Sequence, residues 1–292
     1  MGMVSYPLRG EKKLLLDKGM IKKIIPLLED MYKSNQDFLI ILSGKEGAGK
    51  STFARQLAWF CYYFLKKHKG EAYFDTESSK NIHFSAEGYV NSCLENKKFT
   101  INILDEARSV INRKRSTSKE SVQFTNYLSE ARDQNLVHII CLPSWLDLDR
   151  YVVQHRARAI IKIYGKIVED KTAVSGRKLD LGYFHLWKMD DNVKKAYDKG
   201  GYEYPSNPIV KGEFKETEVM TEKGINSYNE KKKRNREAKY GTAKADPIKE
   251  LIYKIWKNSD LTQLQMSKIT GKSPATIQNY IAEMKVFNNN DY

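Results

Sequence analysis

Apolar and polar residues recur along this chain with two different periods. Residues 11–34 set apolar positions among basic ones at helical spacing, which predicts a helical lead-in over residues 1–35. Phe38-Leu39-Ile40-Ile41-Leu42 is an unbroken apolar run ending in Ser43-Gly44, the pattern of a buried strand feeding a loop. Helical spacing returns over 51–67 and stops in Lys66-Lys67-His68-Lys69-Gly70. Further apolar runs lie at 99–104, 135–142 and 157–164, with helical stretches between them, notably 119–133. The run 179–188 reads as an added strand, half of a terminal hairpin. Strands alternating with helices predict an α/β domain over 36–190, with a mostly parallel sheet covered by helices on both faces.

From about Asp190 the texture turns polar, rich in Lys and Glu and poor in aliphatics, until Ala245. Residues 191–245 are therefore expected to be a basic connector, partly disordered. Residues 246–292 regain helical periodicity and predict a small all-α unit. Within it, Gly271 separates two helical stretches, Ser273 suits an N-cap and Pro274 the first helical turn, the spacing of a helix-turn-helix. Leu261, Leu264 and Ile269 are expected to face inward from the first helix, and Ile277 and Ile281 from the second.

The loop after the first strand carries the most specific chemistry. Gly44-Lys45-Glu46-Gly47-Ala48-Gly49-Lys50-Ser51 matches the phosphate-binding P-loop pattern in full, between a strand and a helix, as the mechanism requires. Its glycines let backbone N–H groups turn toward a phosphate, and the following helix points its positive end at the same place. Lys50 is expected to bridge the β- and γ-phosphates of ATP and Ser51 to ligate Mg2+, with Thr52 beside the site. A glycine-rich turn before a helix is the plainer alternative, and the complete motif in this context sets it aside.

Asp105-Glu106 close the apolar run Phe99-Thr100-Ile101-Asn102-Ile103-Leu104. Carboxylates at the end of a strand beside the P-loop strand can hold a metal-bound water and accept a proton from an attacking one. Asp105 is assigned to Mg2+ and Glu106 to the water, which makes the expected reaction hydrolysis rather than transfer to an acceptor hydroxyl.

A net charge of +14 favours a polyanionic partner, nucleic acid before an anionic membrane surface, although Lys scattered over a solvated surface produces the same total. Three cysteines, Cys61, Cys93 and Cys141, show no metal or disulfide spacing and fit a reducing, cytoplasmic setting. No apolar run reaches the length of a membrane span and the N-terminus has no signal-peptide profile.

The stretch Tyr127-Leu128-Ser129-Glu130-Ala131-Arg132-Asp133-Gln134-Asn135-Leu136-Val137-His138-Ile139-Ile140 resembles a feature of the FtsK–HerA superfamily of DNA-pumping ATPases. So do Asp105-Glu106-Ala107, Pro143-Ser144 with Asp149, and His155-Arg156-Ala157-Arg158-Ala159-Ile160. The resemblance covers about residues 36–190. It implies a RecA-like P-loop fold, a homo-oligomer such as a hexameric ring, and ATP at subunit interfaces. An arginine of a neighbouring subunit would then neutralise transition-state charge, with Arg132 in the matching position and Arg156 and Arg158 in reserve. The family usually places a polar sensor, often Gln, at the tip of the strand that here ends in Cys141-Leu142-Pro143; Ser144 is the nearest polar substitute. Similar ATPases serve viruses, plasmids and other mobile elements.

In the C-terminal unit, Lys272, Ser273, Thr276, Gln278 and Asn279 are the residues expected to face DNA. The run Lys231-Lys232-Lys233-Arg234 is expected to meet its phosphates. A helical hairpin for protein contacts is the alternative. The combined expectation is an ATPase coupled to movement, packaging or remodelling of duplex DNA. An AAA+-type initiator or helicase loader, and a DNA-bound regulator switched by ATP, stand as rivals.

Overall fold

The computed structural model describes residues 2–8, 12–107, 119–131, 133–169, 177–200, 204–240, 247–259 and 261–289. The chain divides into two compact units, Met1–Lys232 and Lys233–Tyr292.

The first unit opens with a hairpin rather than with a helix alone. β1 (Met3–Pro7) pairs antiparallel with β2 (Lys13–Asp17), and α1 (Lys18–Lys33) follows directly. The Leu14-Leu15-Leu16 run suits either period, and Asp17 decides where the helix starts. Its carboxylate accepts from the Met20 N–H at 2.8 Å, an N-cap that stops helical geometry from running further back.

A seven-stranded sheet forms the body of this unit, in the order β4-β5-β6-β3-β7-β8-β9. Its strands are β3 (Phe38–Ser43), β4 (Ile82–His83), β5 (Ile101–Leu104), β6 (Val137–Leu142), β7 (Ala157–Glu169), β8 (Arg177–Lys188) and β9 (Val210–Glu213). β4, β5, β6, β3 and β7 run parallel, while β8 and β9 add on antiparallel. This is the mostly parallel α/β sheet expected from the pattern; β7 and β8 pair as a hairpin, which is not terminal, because β9 extends the sheet beyond β8.

All six residues of β3 are buried, and alternate ones serve opposite faces. Phe38, Ile40 and Leu42 join Leu28 of α1 and Phe53, Leu57, Phe60 and Phe64 of α2 (Lys50–Lys69). Leu39 and Ile41 join Tyr89 of α3 (Ala86–Glu95), Phe124 and Leu128 of α4 (Lys119–Glu130) and Val193 and Tyr197 of α5 (Asp191–Asp198). Each such aliphatic or aromatic side chain contributes about 1.5–3 kcal/mol by leaving water.

The segment expected as a connector is instead largely built into this unit. α5, β9 and the start of α6 (Glu222–Tyr240) lie within it, and β9 pairs with β8 at the edge of the sheet. Few aliphatics are needed, because Tyr197, Phe214, Val219, Met220 and Tyr228 are buried and Tyr204 stacks on Trp187 and Trp145.

The second unit holds α7 (Pro247–Asn258), α8 (Gln263–Thr270) and α9 (Pro274–Asn289) around a small core of Ile252, Met266, Ile277 and Ile281. Gly271 ends α8 in the left-handed conformation, and the Thr276 N–H donates to the Ser273 hydroxyl at the start of α9. Leu264 and Ile269 are 62% and 66% exposed, so the inward face of α8 differs from the expected one. The capping box of Thr262 with Gln265 sets the helix phase and turns Met266 inward in their place.

Candidate nucleotide site

β3 delivers its C-terminal end into the loop 44–51, which is wedged between the ends of two neighbouring strands. The Gly44 N–H points at the Leu142 and Pro143 carbonyls at 3.3 and 3.2 Å. A Cβ at Gly44 would lie 2.1 Å from the Ile163 carbonyl oxygen of β7, so only glycine fits. Gly49, with φ of 91°, turns the chain into α2 and caps it without a side chain, leaving the first N–H groups of the helix directed at the loop. Lys45, Glu46 and Gly47 are exposed at the rim, whereas Ala48 is buried beneath them. The Lys50 ammonium folds over the loop and donates to the Gly44 and Lys45 carbonyls at 2.7 and 2.8 Å. Burial lowers its proton affinity, against the pull of Cys141, Asp105 and Glu46. Thr52, one turn into α2, accepts from Arg55 at 3.5 Å.

Asp105 and Glu106 lie at the C-terminal end of β5. This strand is not the neighbour of β3, since β6 runs between them. The insertion brings the end of β6, and with it Pro143 and Ser144, between the loop and the acids. Ser144 spends its hydroxyl accepting from the Leu146 N–H at 3.3 Å at the head of a short 3-10 turn. Asp105 is 2% exposed, and its backbone N–H is held by the His83 carbonyl at 2.8 Å. Glu106 adopts φ of 55°, a left-handed conformation that costs a non-glycine residue on the order of 1 kcal/mol and is found at functional sites.

α6 supplies the wall that the sequence pattern missed. The Tyr228 hydroxyl donates to Asp105 at 2.8 Å, with Ser51 beside the same phenol. Burial, with Asp105 beside it, raises the proton affinity of Tyr228, so it stays a neutral donor. Lys232, one turn on, forms an ion pair with Glu106 at 2.8 Å. Lys231 turns inward to the Ser79 and Ile82 carbonyls. Half of the run assigned to DNA phosphates is thus engaged within the first unit, and Lys233 and Arg234 are the exposed half. A Tyr four residues ahead of a Lys on one helix face was the available signal, hidden by the polar composition around it.

Of the three candidate arginines, Arg156 and Arg158 lie away from this site. Arg132 lies outside the described residues. Arg156 is half-buried at the opposite end of the sheet, where it donates to the Ala131 carbonyl at 2.9 Å and stands 3.7 Å from Asp37. Arg158 donates to the Gln36 side chain at the same end. β3 runs from that end to the loop, about 16 Å at roughly 3.3 Å per residue. In the second unit, Lys272, Ser273, Gln278 and Asn279 are exposed, whereas Thr276 is half-buried and tied to the Ser273 hydroxyl at 2.8 Å.

Among solved structures, the chain is similar to the genome packaging NTPase B204 from Sulfolobus turreted icosahedral virus 2. In its complex with ATP-gammaS the identity is 15%, over 63% of this chain and 98% of that one, with a TM-score of 0.36. In its complex with sulfate the values are 18%, 53%, 92% and 0.33. The FIGL-1 AAA domain matches at 17% identity over 50% of this chain and 52% of that one, with a TM-score of 0.34. No protein-family model and no curated protein matches the chain. No helix among the described residues is long and apolar enough to cross a membrane.

Proposed function

We propose that this chain is a P-loop ATPase that hydrolyses ATP with Mg2+. One observation carries the reading: a glycine loop, the ammonium of Lys50 and the Asp105-Glu106 pair converge at one end of the parallel sheet. Backbone N–H groups of 44–51 and Lys50 would bind the phosphates, and Ser51 and Asp105 would hold the metal. The donors fit such an ion, since a serine hydroxyl and a carboxylate are the hard oxygen ligands Mg2+ takes, and Tyr228, which donates to Asp105 at 2.8 Å, lies beside Ser51. Mg2+ held there would supply Lewis-acid neutralisation of phosphate charge. Glu106 would take the proton of the attacking water.

The use proposed for this hydrolysis is movement, packaging or remodelling of DNA by a homo-oligomeric ring, with Arg132 acting across a subunit interface. The family resemblance, the net charge of +14 and the exposed polar start of α9 support it. Phosphate release by the full chain, with and without duplex DNA, alongside a measured molecular mass, tests the reading. Glu106→Gln should bind ATP and fail to hydrolyse it, and normal turnover by that variant would overturn the assignment. DNA-independent turnover by a monomer would favour the ATP-switched regulator.

A further inference from the structure

Lys50 is not the only cation at the phosphate site. Lys232 reaches it from α6, close enough to contribute to the lowered proton affinity of Lys50, and both ammoniums flank the Asp105-Glu106 pair. The backbone beneath Lys232 is fixed. A Cβ at Gly224 would lie 2.1 Å from the Thr76 carbonyl oxygen, so the start of α6 touches the chain beneath it directly. Ser227 donates to the Ser78 carbonyl at 2.7 Å, and Gln56 of α2 holds the Lys215 and Thr217 carbonyls at 2.7 and 2.9 Å. Arg55, almost fully buried, grips Glu218 at 2.6 Å. What can move is the four-carbon stem of Lys232 itself.

The ion pair that Lys232 makes is a poor structural staple. Its two side chains are 22% and 37% exposed, where solvent screening leaves such a pair little net stability. What the pair does is occupy the Glu106 carboxylate with the Lys232 ammonium at 2.8 Å. We propose that Lys232 is a catalytic residue that passes from the Glu106 carboxylate to the γ-phosphate when a nucleoside triphosphate is bound. This rests on the ATPase reading above. The γ-phosphate outcompetes a single carboxylate for the ammonium, since it carries more charge and more acceptor oxygens.

Two results follow from one displacement. The Lys232 ammonium leaves the Glu106 carboxylate only when there is a γ-phosphate to cleave. Lys232 and Lys50 then neutralise the γ-oxygens from two sides, the task of an arginine finger performed within the subunit. The water oxygen bonds to the γ-phosphorus as the bond from that phosphorus to the bridging oxygen breaks, and the bridging oxygen leaves with the β-phosphate. The electron pair of that bond stays on ADP, the water proton passes to Glu106, and Lys232 keeps its proton throughout.

The test uses the full chain and the variants Lys232→Met, which keeps the stem and removes the charge, and Lys232→Arg. Phosphate release is measured with Mg-ATP, and equilibrium binding with Mg-ADP and Mg-ATP-gammaS, after thermal melting has shown both variants folded. Lys232→Met should lose about 10²–10³-fold in turnover, the range for removing one preorganised charge-stabilising donor. It should bind ATP-gammaS about tenfold more weakly, as expected for one charge-assisted hydrogen bond, and bind ADP unchanged. Lys232→Arg should recover most of the rate. Turnover by Lys232→Met at or above the wild-type rate, or an equal loss of ADP and ATP-gammaS affinity, would overturn the proposal while leaving the ATPase reading in place. A wild-type chain that binds neither nucleotide would overturn both.

Discussion

The phenolic oxygen of Tyr228 stands 2.8 Å from a carboxylate oxygen of Asp105, joining two residues 123 positions apart in the chain. Through that bond, and the Lys232–Glu106 ion pair one turn on, a helix of polar composition becomes part of a strand-end site.

Tyr228→Phe removes the hydroxyl and keeps the ring, leaving the buried Asp105 carboxylate one donor short. The loss should be about 1.5–3 kcal/mol, the range for a hydrogen bond to a charged group. Urea unfolding without nucleotide would show it as a lower midpoint at unchanged slope. A variant as stable as the wild type would mean that solvent replaces the hydroxyl at no cost.

Two glycines of the loop should respond differently to alanine. At Gly44 the new Cβ meets the Ile163 carbonyl oxygen at 2.1 Å, and backbone must move, costing about 3 kcal/mol. At Gly47, with φ of 75°, nothing lies within 4 Å, so only the left-handed backbone is penalised, by about 1–2 kcal/mol. Nucleotide affinity should fall steeply for Gly44→Ala and modestly for Gly47→Ala. Equal losses in both would show that the tight approach of β7 is not what shapes the loop.

Stability should depend on pH through His83. Burial, helped by Lys231, pushes its pKa down to about 3. The unfolded chain takes up that proton near pH 6.5, whereas the folded chain takes it up only near 3. Between these values the unfolded state binds more protons, so stability is full above about 6.5 and declines as the pH falls toward 3. The decline should reach on the order of a few kcal/mol, and His83→Gln should remove it. Unfolding midpoints at pH 7 and 4.5 measure it; parallel pH profiles for both proteins would rule His83 out.

In the proposed DNA-bound state, the exposed Gln278 and Asn279 of the second unit would meet base edges. Their replacement by Ala should flatten sequence preference, by about 1–3 kcal/mol for each base no longer read. Thr276→Ala should act mainly on helix stability instead, because that hydroxyl belongs to the N-terminal cap of α9. Neutralising Lys233 and Arg234 should reduce the salt dependence of binding by about one unit for each phosphate no longer neutralised. Duplex affinity against salt separates the two effects. No change in any of them would mark the unit as a protein-docking element.

What the sequence made legible was local or uninterrupted. β3 could be read because no polar residue breaks Phe38–Leu42, and the loop because eight consecutive residues define it. Asp105 and Glu106 were readable as the end of a strand, yet not as one strand removed from the loop, because strand order is decided by pairing across the chain. β9 was hidden: Val-Lys-Gly-Glu is an edge strand with one buried residue, and that residue is glycine. Tyr228 and Lys232 were hidden for a related reason. A helix that presents one aromatic and one charge to a site, and polar groups elsewhere, has the composition of a solvated linker. Sequence gives the period of such a helix and not the surface it meets.

The wedging of Gly44 has a kinetic meaning. The loop takes its curvature from the carbonyls of β6 and β7, not from whatever enters it. A cradle shaped in advance gives up little conformational freedom on capture, so nucleotide arrival needs no ordering step and the free energy of binding appears as affinity. In the proposed cycle the slow events are then left to side chains that change partner and to the departure of products.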